Sequence, residues 1–249
     1  MARIDTLGNF LTDVATAIRN KKGTADTIAA SDFDTEIDSI ETGGSSSITK
    51  GIIINECDDK GYATDVSVVG MTSIPEYYFG IYFYANALSK YLKNIQLPSG
   101  VTSIGKGAFY NCSNLALIEL PSGVTSIGNN AFLYCSKLAL TELPSGVTSI
   151  ENNAFQYCSN LAKMTCLGNI TSIGNSAFNN CTNLSKFALP NITSVPTLGS
   201  TGVFGNTPIA SGTGYIYVPD DLVESFKSAT NWSTYSDQIK AISEMEASA

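Results

Sequence analysis

Residues 97–119 read LPSGVTSIGKGAFYNCSNLALIE, and this stretch decides the fold because it recurs. Phe109, Phe132, Phe155 and Phe178 stand 23 residues apart, as do Cys112, Cys135, Cys158 and Cys181. The same step carries Ile104 to Ile127, Ile150 and Ile173, and Leu115 to Leu138, Leu161 and Leu184. Several columns that keep one step through successive copies mark a stack of repeats. A unit of this size cannot bury its own apolar side chains, whereas stacked copies bury the Ile, Phe, Cys and Leu columns as one core.

Within the unit, residues 115–120 (LALIEL) have the L-x-x-I-x-L form of a strand whose spaced aliphatic positions point inward. The inward sets are Leu92, Ile95 and Leu97; Leu138, Thr141 and Leu143; Leu161, Met164 and Cys166; and Leu184, Phe187 and Leu189. Pro121, Ser122 and Gly123 supply a turn, and a second short extended stretch, V-T-S-I, follows it. Its Thr-Ser ladder reads as cross-strand hydroxyl pairing. The array becomes irregular at both ends, as terminal repeats do. Upstream, Ile74 and Phe79 keep the spacing, but Leu92 comes seven residues late, after an aromatic insertion. Downstream, Ile192 and Val195 open a further unit that ends at Phe204.

The repeat resembles the BspA-like leucine-rich repeats of bacterial surface and secreted proteins. It carries their I-x-x-x-A-F-x-x-C-x-x-L pattern as Ile104, Ala108, Phe109, Cys112 and Leu115, with three further copies. The likeness covers roughly residues 71–209 and implies an α+β fold, a leucine-rich-repeat solenoid of stacked 23-residue units. It also implies adhesion or protein binding, without a fixed ligand or a cofactor.

Composition limits the function. Charged residues make up 14% of the 249 and hydrophobic residues 43%, so the chain has a core to bury. Net charge is −8 and the only arginines are Arg3 and Arg19, so the basic stripe that nucleic acid requires is missing. The same balance disfavours an anionic membrane surface, and no apolar run approaches the roughly 20 residues of a membrane helix. Residues 1–20 lack the pattern of a secretory signal, which predicts another route to the outside or a place in a larger particle. Histidine is absent, which removes the commonest general base and metal ligand and weighs against an enzyme.

The flanks divide the rest. In residues 1–42, Ile4, Leu7, Leu11, Val14 and Ile18 form a heptad-like helical stripe. Ser31 caps a second helix bearing Phe33, Ile37 and Ile40. Such short helices need a partner, so this segment is expected to dock on a copy of the chain or on a larger assembly. It resembles the N-terminal segment of tail-associated phage and prophage proteins of Gram-positive hosts, which implies virion partners. Residues 43–47 (GGSSS) are a linker, and residues 48–70 a β-hairpin covering the open edge of the stack. Residues 210–249 start with the strand Tyr215, Ile216, Tyr217 and Val218. A helix and a second apolar stripe (Trp232, Tyr235, Ile239, Ile242) then close the other end. This tail also resembles the segment that often follows BspA-like repeats.

Two features suggest chemistry and have plainer explanations. Cysteines one repeat apart form a line that cannot converge on a metal, and they serve as small buried core residues. Asp58-Asp59 and Asp220-Asp221 lack calcium-loop spacing and suit a turn and a helix cap. Binding is expected on the outward strand positions: Asn94, Gln96, Leu117, Glu119, Leu140, Glu142, Lys163, Thr165 and Lys186. Small Ala116, Ala139 and Ala162 beside them leave a partner room to approach. Tyr78, Tyr82 and Tyr84 of the insertion either extend that surface or fill core. The expected protein is non-enzymatic and recognises protein or glycan on a host surface, as a tail or baseplate part of a virion. The alternative is a BspA-like bacterial adhesin.

Overall fold

A computed structural model describes residues 40–41, 51–58, 63–79 and 87–246. Its strands are β1 Ile40–Glu41, β2 Gly51–Cys57, β3 Ala63–Val69, β4 Ser73–Ile74, β5 Asn94–Gln96, β6 Ser103–Ile104, β7 Leu117–Ile118 and β8 Ser126–Ile127. They continue with β9 Glu142–Leu143, β10 Ser149–Ile150, β11 Lys163–Cys166, β12 Ser172–Ile173, β13 Lys186–Ala188, β14 Thr197–Leu198, β15 Tyr215–Val218 and β16 Ile239–Ala241. Helix α1 is Ala87–Tyr91, α2 Val223–Ser228 and α3 Ile242–Glu246.

Every repeat contributes one strand to each of two parallel columns. The S-I strands make a single sheet in the order β14-β12-β10-β8-β6-β4, with Ser149 paired to Ser172 and Ile150 to Ile173. The step between paired residues is thus the 23-residue period itself. The second column is hydrogen-bonded as two sheets, β1-β2-β3-β5-β7 and β16-β15-β13-β11-β9. They part between β7 and β9, where Thr141 stands in the position held by Ile118 and Met164 in the adjoining repeats. The expectation that Thr141 points inward and Leu140 outward is reversed. Leu140 is buried in the core and Thr141 is exposed. Burying leucine gains apolar contact, whereas burying threonine would strand its hydroxyl. The residues that turn to achieve this leave the ladder, while the Ala139 N–H still donates to the Ala116 carbonyl across the gap.

Between the columns lies the core. Phe79, Phe109, Phe132, Phe155, Phe178 and Phe204 stack face to face at 5.0–5.7 Å, within 8° of parallel. The cysteine column runs beside them. Cys135, Cys158 and Cys181 each donate an S–H to the carbonyl of the phenylalanine one repeat earlier, at 3.0–3.1 Å. Cys112, Cys135, Cys158, Cys166 and Cys181 are buried free thiols, and Cys57 is exposed. The threonine ladder differs from expectation. Thr102, Thr125 and Thr171 donate to the backbone carbonyls of Thr72, Thr102 and Thr148, all at 3.1 Å, and not to one another's hydroxyls.

At the N-terminal end, β2 and β3 form the antiparallel hairpin, and β3 pairs in parallel with β5. Ile40, expected on a helix face, lies instead in β1, paired with Ile52. The remainder of residues 1–42, the linker at 43–47, Asp59 and the second half of the insertion, with Tyr82 and Tyr84, lie outside the described residues. At the C-terminal end, Phe226 packs on Trp232 at 4.8 Å, and Trp232 and Tyr235 reach Phe204 at 6.3 and 5.5 Å. The second apolar stripe is not one helix: Trp232–Gln238 is a 3-10 turn and Ile239 belongs to β16. Trp232 and Tyr235 are both buried, although the backbone of this segment kinks at Tyr235 (φ −109°, ψ 20°). Asp220 caps a different helix from the one expected. It accepts the backbone N–H and hydroxyl of Ser243 in α3, at 3.3 and 2.7 Å, and these bonds hold its carboxyl below the usual range.

Candidate binding face on the strand column

The outer side of the second strand column carries most of the expected binding residues, and parallel register arranges them in rows. In the N-terminal sheet, Asp65 pairs with Asn94 and Asn94 with Leu117, while Ser67 pairs with Gln96. These side chains bond to one another. The Asn94 amide donates to Asp65 at 3.1 Å and the Ser67 hydroxyl to Gln96 at 3.2 Å. Asn55 of β2 donates to Asp65 at 2.6 Å and to Ser67 at 3.0 Å. Asn94 and Gln96 are therefore already engaged. Alternation along β2 and β3 would have identified Asn55, Asp65 and Ser67 as their partners. Leu117 lies in β7; its side chain lies outside what is described. Glu119 and Glu142 are exposed, whereas Leu140 is withdrawn into the core.

The C-terminal sheet brings a different set together. Lys163, Lys186 and Tyr215 lie in register on β11, β13 and β15, and Lys163 is half-buried while the other two are exposed. The next row is Glu142, Thr165, Ala188, Tyr217 and Lys240. Thr165, expected to be exposed, is only 7% accessible, and Ala188 next to it 1%. Met164 and Cys166 face the core, so alternation keeps Thr165 on the outer side. Among the described residues the Thr165 hydroxyl has no hydrogen-bond partner. Tyr215 and Lys240 escaped the sequence reading of the site. The Lys240 ammonium sits 5.8 Å from the Tyr215 ring and 3.4 Å from Glu244. The alternation Tyr215, Ile216, Tyr217, Val218 is the signal that would have placed Tyr215 outward.

Tyr78 divides from the face. It is half-buried, meets Phe79 edge-on at 4.9 Å and packs on the core, and burial pushes its phenol pKa up. The reading of this tyrosine as core is the one that agrees with its position. Among the described residues no group of three or more Cys, Asp or Glu side chains is placed to hold a metal ion. Burial pushes the column thiols well above the ordinary cysteine range, Cys181 to about 12. They are protonated and shielded, unsuited to nucleophilic chemistry. No helix among the described residues is long and apolar enough to cross a membrane.

Comparison with known proteins bears on the repeats. Residues 71–207 match the model of the BspA type leucine rich repeat region, in 6 copies. No curated protein matches the chain. Similar solved structures include a leucine-rich repeat protein of T. pallidum, 24% identical, with 70% of each chain covered and a TM-score of 0.44. A leucine rich cell surface protein of Faecalibacterium prausnitzii A2-165 is 26% identical over 61% of this chain and 44% of that one, with a TM-score of 0.42. A leucine-rich repeat protein of Bacteroides ovatus is 22% identical over 70% and 50%, with a TM-score of 0.41. The chain thus spans half or less of the last two. With the family's repeat matched in 6 copies through more than half of its residues, this chain belongs to the BspA-type leucine-rich repeat family.

Proposed function

We propose that this is a non-enzymatic binding protein that holds the outer side of its strand column against a protein partner at a bacterial surface or beyond it. The row Lys163, Lys186 and Tyr215 carries the reading. Two ammonium groups on adjacent, in-register strands repel each other, and among the described residues neither is in an ion pair. A carboxylate-bearing partner relieves that repulsion, and Tyr215 beside the lysines adds an exposed ring that can be covered on binding. Glutamates at both lysine positions (K163E with K186E) should abolish capture of the partner obtained by crosslinking through position 186. The melting temperature should hardly move, since surface substitutions change stability by about 0.5 kcal/mol or less. Undiminished capture by the folded double variant would refute the face as the site.

In the same proposal the hairpin β2–β3 and the segment after residue 210 close the two ends of the stack. The pairing of β3 with β5 and the cover of Trp232 and Tyr235 over Phe204 support this. Residues 1–42 attach the protein, to copies of itself or to a particle such as a virion. The heptad-like stripe supports attachment, and the tail-associated resemblance supports the virion. The matched family region begins only at residue 71 and does not bear on this segment. Removing residues 1–42 should abolish self-association or incorporation while the repeats keep their melting temperature. Loss of folding would instead make the segment part of the solenoid.

A further inference from the structure

The turn between the two strand columns repeats a left-handed residue immediately before each column cysteine. Asn111, Tyr134, Tyr157 and Asn180 occupy it at φ of 59°, 65°, 61° and 61°, and Asn206 adopts the same conformation at 57°. Asparagine suits this conformation, whereas a bulky side chain is disfavoured there. The fold needs only asparagine at this place, as the flanking repeats demonstrate, yet two neighbouring repeats carry tyrosine. Tyr134 and Tyr157 are 40% and 38% accessible, and with Tyr215 they are the large hydrophobic side chains most exposed among the described residues. Their rings stack at 4.7 Å, and Tyr110 meets Tyr134 edge-on at 5.9 Å. The result is an apolar strip with phenol hydroxyls, running along the repeat axis.

Two residues beyond each tyrosine, the same turns border a groove of about 430 Å³. Ser136, Lys137, Ser159, Asn160, Thr182 and Asn183 line it, with Ala116 at its end. Hydroxyls and amides dominate, one cation is present and no carboxylate lines it. Ser136, Ser159 and Asn160 each spend a donor on a backbone carbonyl of the preceding repeat, which fixes their orientation and leaves their oxygens as acceptors. The side chains of Thr182 and Asn183 make no hydrogen bond among the described residues. The groove is thus a row of short, oriented polar groups beside an aromatic strip. It is subdivided at the repeat step, which the phenylalanine stack marks as 5.0–5.4 Å in this region. A pyranose unit in an extended polysaccharide advances by a closely similar length.

We infer that this strip and groove bind a neutral linear oligosaccharide, one sugar ring per repeat, with its hydroxyls on the groove side chains and on the phenol groups at the exposed edges of Tyr134 and Tyr157. The inference does not rest on the protein-binding reading, whose Lys163, Lys186 and Tyr215 do not line the groove. The test presents the full chain to an array of neutral hexose and N-acetylhexosamine oligomers, from disaccharide to hexasaccharide, beside uronic-acid oligomers and proline-rich peptides. At least one neutral oligomer should be retained, with affinity rising up to the three repeats that line the groove and flattening beyond. The double variant Tyr134→Asn with Tyr157→Asn installs the residue used by the flanking repeats. It should melt no lower than the parent and bind about ten-fold more weakly or worse. Should it melt lower, Asn183→Ala carries the test, because that side chain holds nothing in the fold: weakened retention of the neutral oligomer supports the site and unchanged retention overturns it. Failure of the parent to retain any neutral oligomer, retention of acidic oligomers or peptides alone, or unaltered binding by the folded tyrosine variant would each overturn the inference.

Discussion

On the outer side of the N-terminal sheet, Asn55, Asp65, Ser67, Asn94 and Gln96 satisfy one another through side-chain hydrogen bonds. On the outer side of the C-terminal sheet, Lys163 and Lys186 stand side by side, and among the described residues neither is in an ion pair and the Thr165 hydroxyl has no hydrogen-bond partner. The backbone is the same parallel ladder in both, and the phenylalanine stack behind it continues without interruption from Phe79 to Phe204. A repeat fold therefore separates two requirements. The interior columns must agree from copy to copy because each copy covers its neighbour, while the outer positions are free to be self-satisfied in one half and open to a partner in the other.

If the interior is common property, disturbing it should act on both halves together. The largest effect should come from alkali. The five buried thiols have an ordinary value of 9.0, and burial raises it in the native state, to about 12 for Cys181. The unfolded chain then loses these protons first. Stability is full below pH 9 and falls as pH rises beyond it, by as much as about 1.4 kcal/mol per pH unit for each thiol. A melting temperature as high at about pH 10 as at neutral pH would show the column to be open to solvent. Next, Phe132→Ala should cost about 3–5 kcal/mol through lost transfer energy and the cavity left behind. A melt unchanged by that substitution would break the continuous stack, and with it the basis of the comparison.

Smaller effects probe the boundary and the open half. Leu140→Lys should cost about 2 kcal/mol or more by pushing an ammonium toward the core, while the neighbouring Glu142→Lys should stay within about 0.5 kcal/mol. Equal melts for the two would return Leu140 to the surface and remove the reason for the split between β7 and β9. Thr165→Val discards a buried hydroxyl that bonds to nothing and keeps the shape, so it should raise stability by about 1 kcal/mol. A fall of that size instead would mean that the hydroxyl is satisfied, and that the open half resembles the closed one.

The repeat was legible at once: a fixed step through Ile, Phe, Cys and Leu implies a stack, and these columns are the buried ones. The candidate face was legible only where alternation holds. Lys186, Glu119 and Glu142 are exposed as their positions imply, but Leu140 and Thr141 exchange sides. A period-two pattern says which residues share a side only while the chain stays in strand geometry, and here a threonine at a core position bends it out. Exposure was misjudged for Thr165 because burial depends on residues one repeat or more away, which no local pattern contains. Tyr134 and Tyr157 were invisible as a pair for a related reason. The residue before the cysteine takes no part in the inward columns, and its left-handed backbone and outward ring emerge only when the turn is folded.

What the sequence determines alone is what each repeat must do for its neighbour: the period, the identity of the interior columns, and the choice of cysteine as a small core residue. Those follow from the need of every short unit to hide the same apolar groups. Tertiary structure alone decided where the ladder breaks, which outer side chains bond to each other, and which remain unpaired. Those outcomes turn on contacts between residues more than twenty positions apart, and on small differences in side-chain size and hydrogen bonding that the period leaves unconstrained.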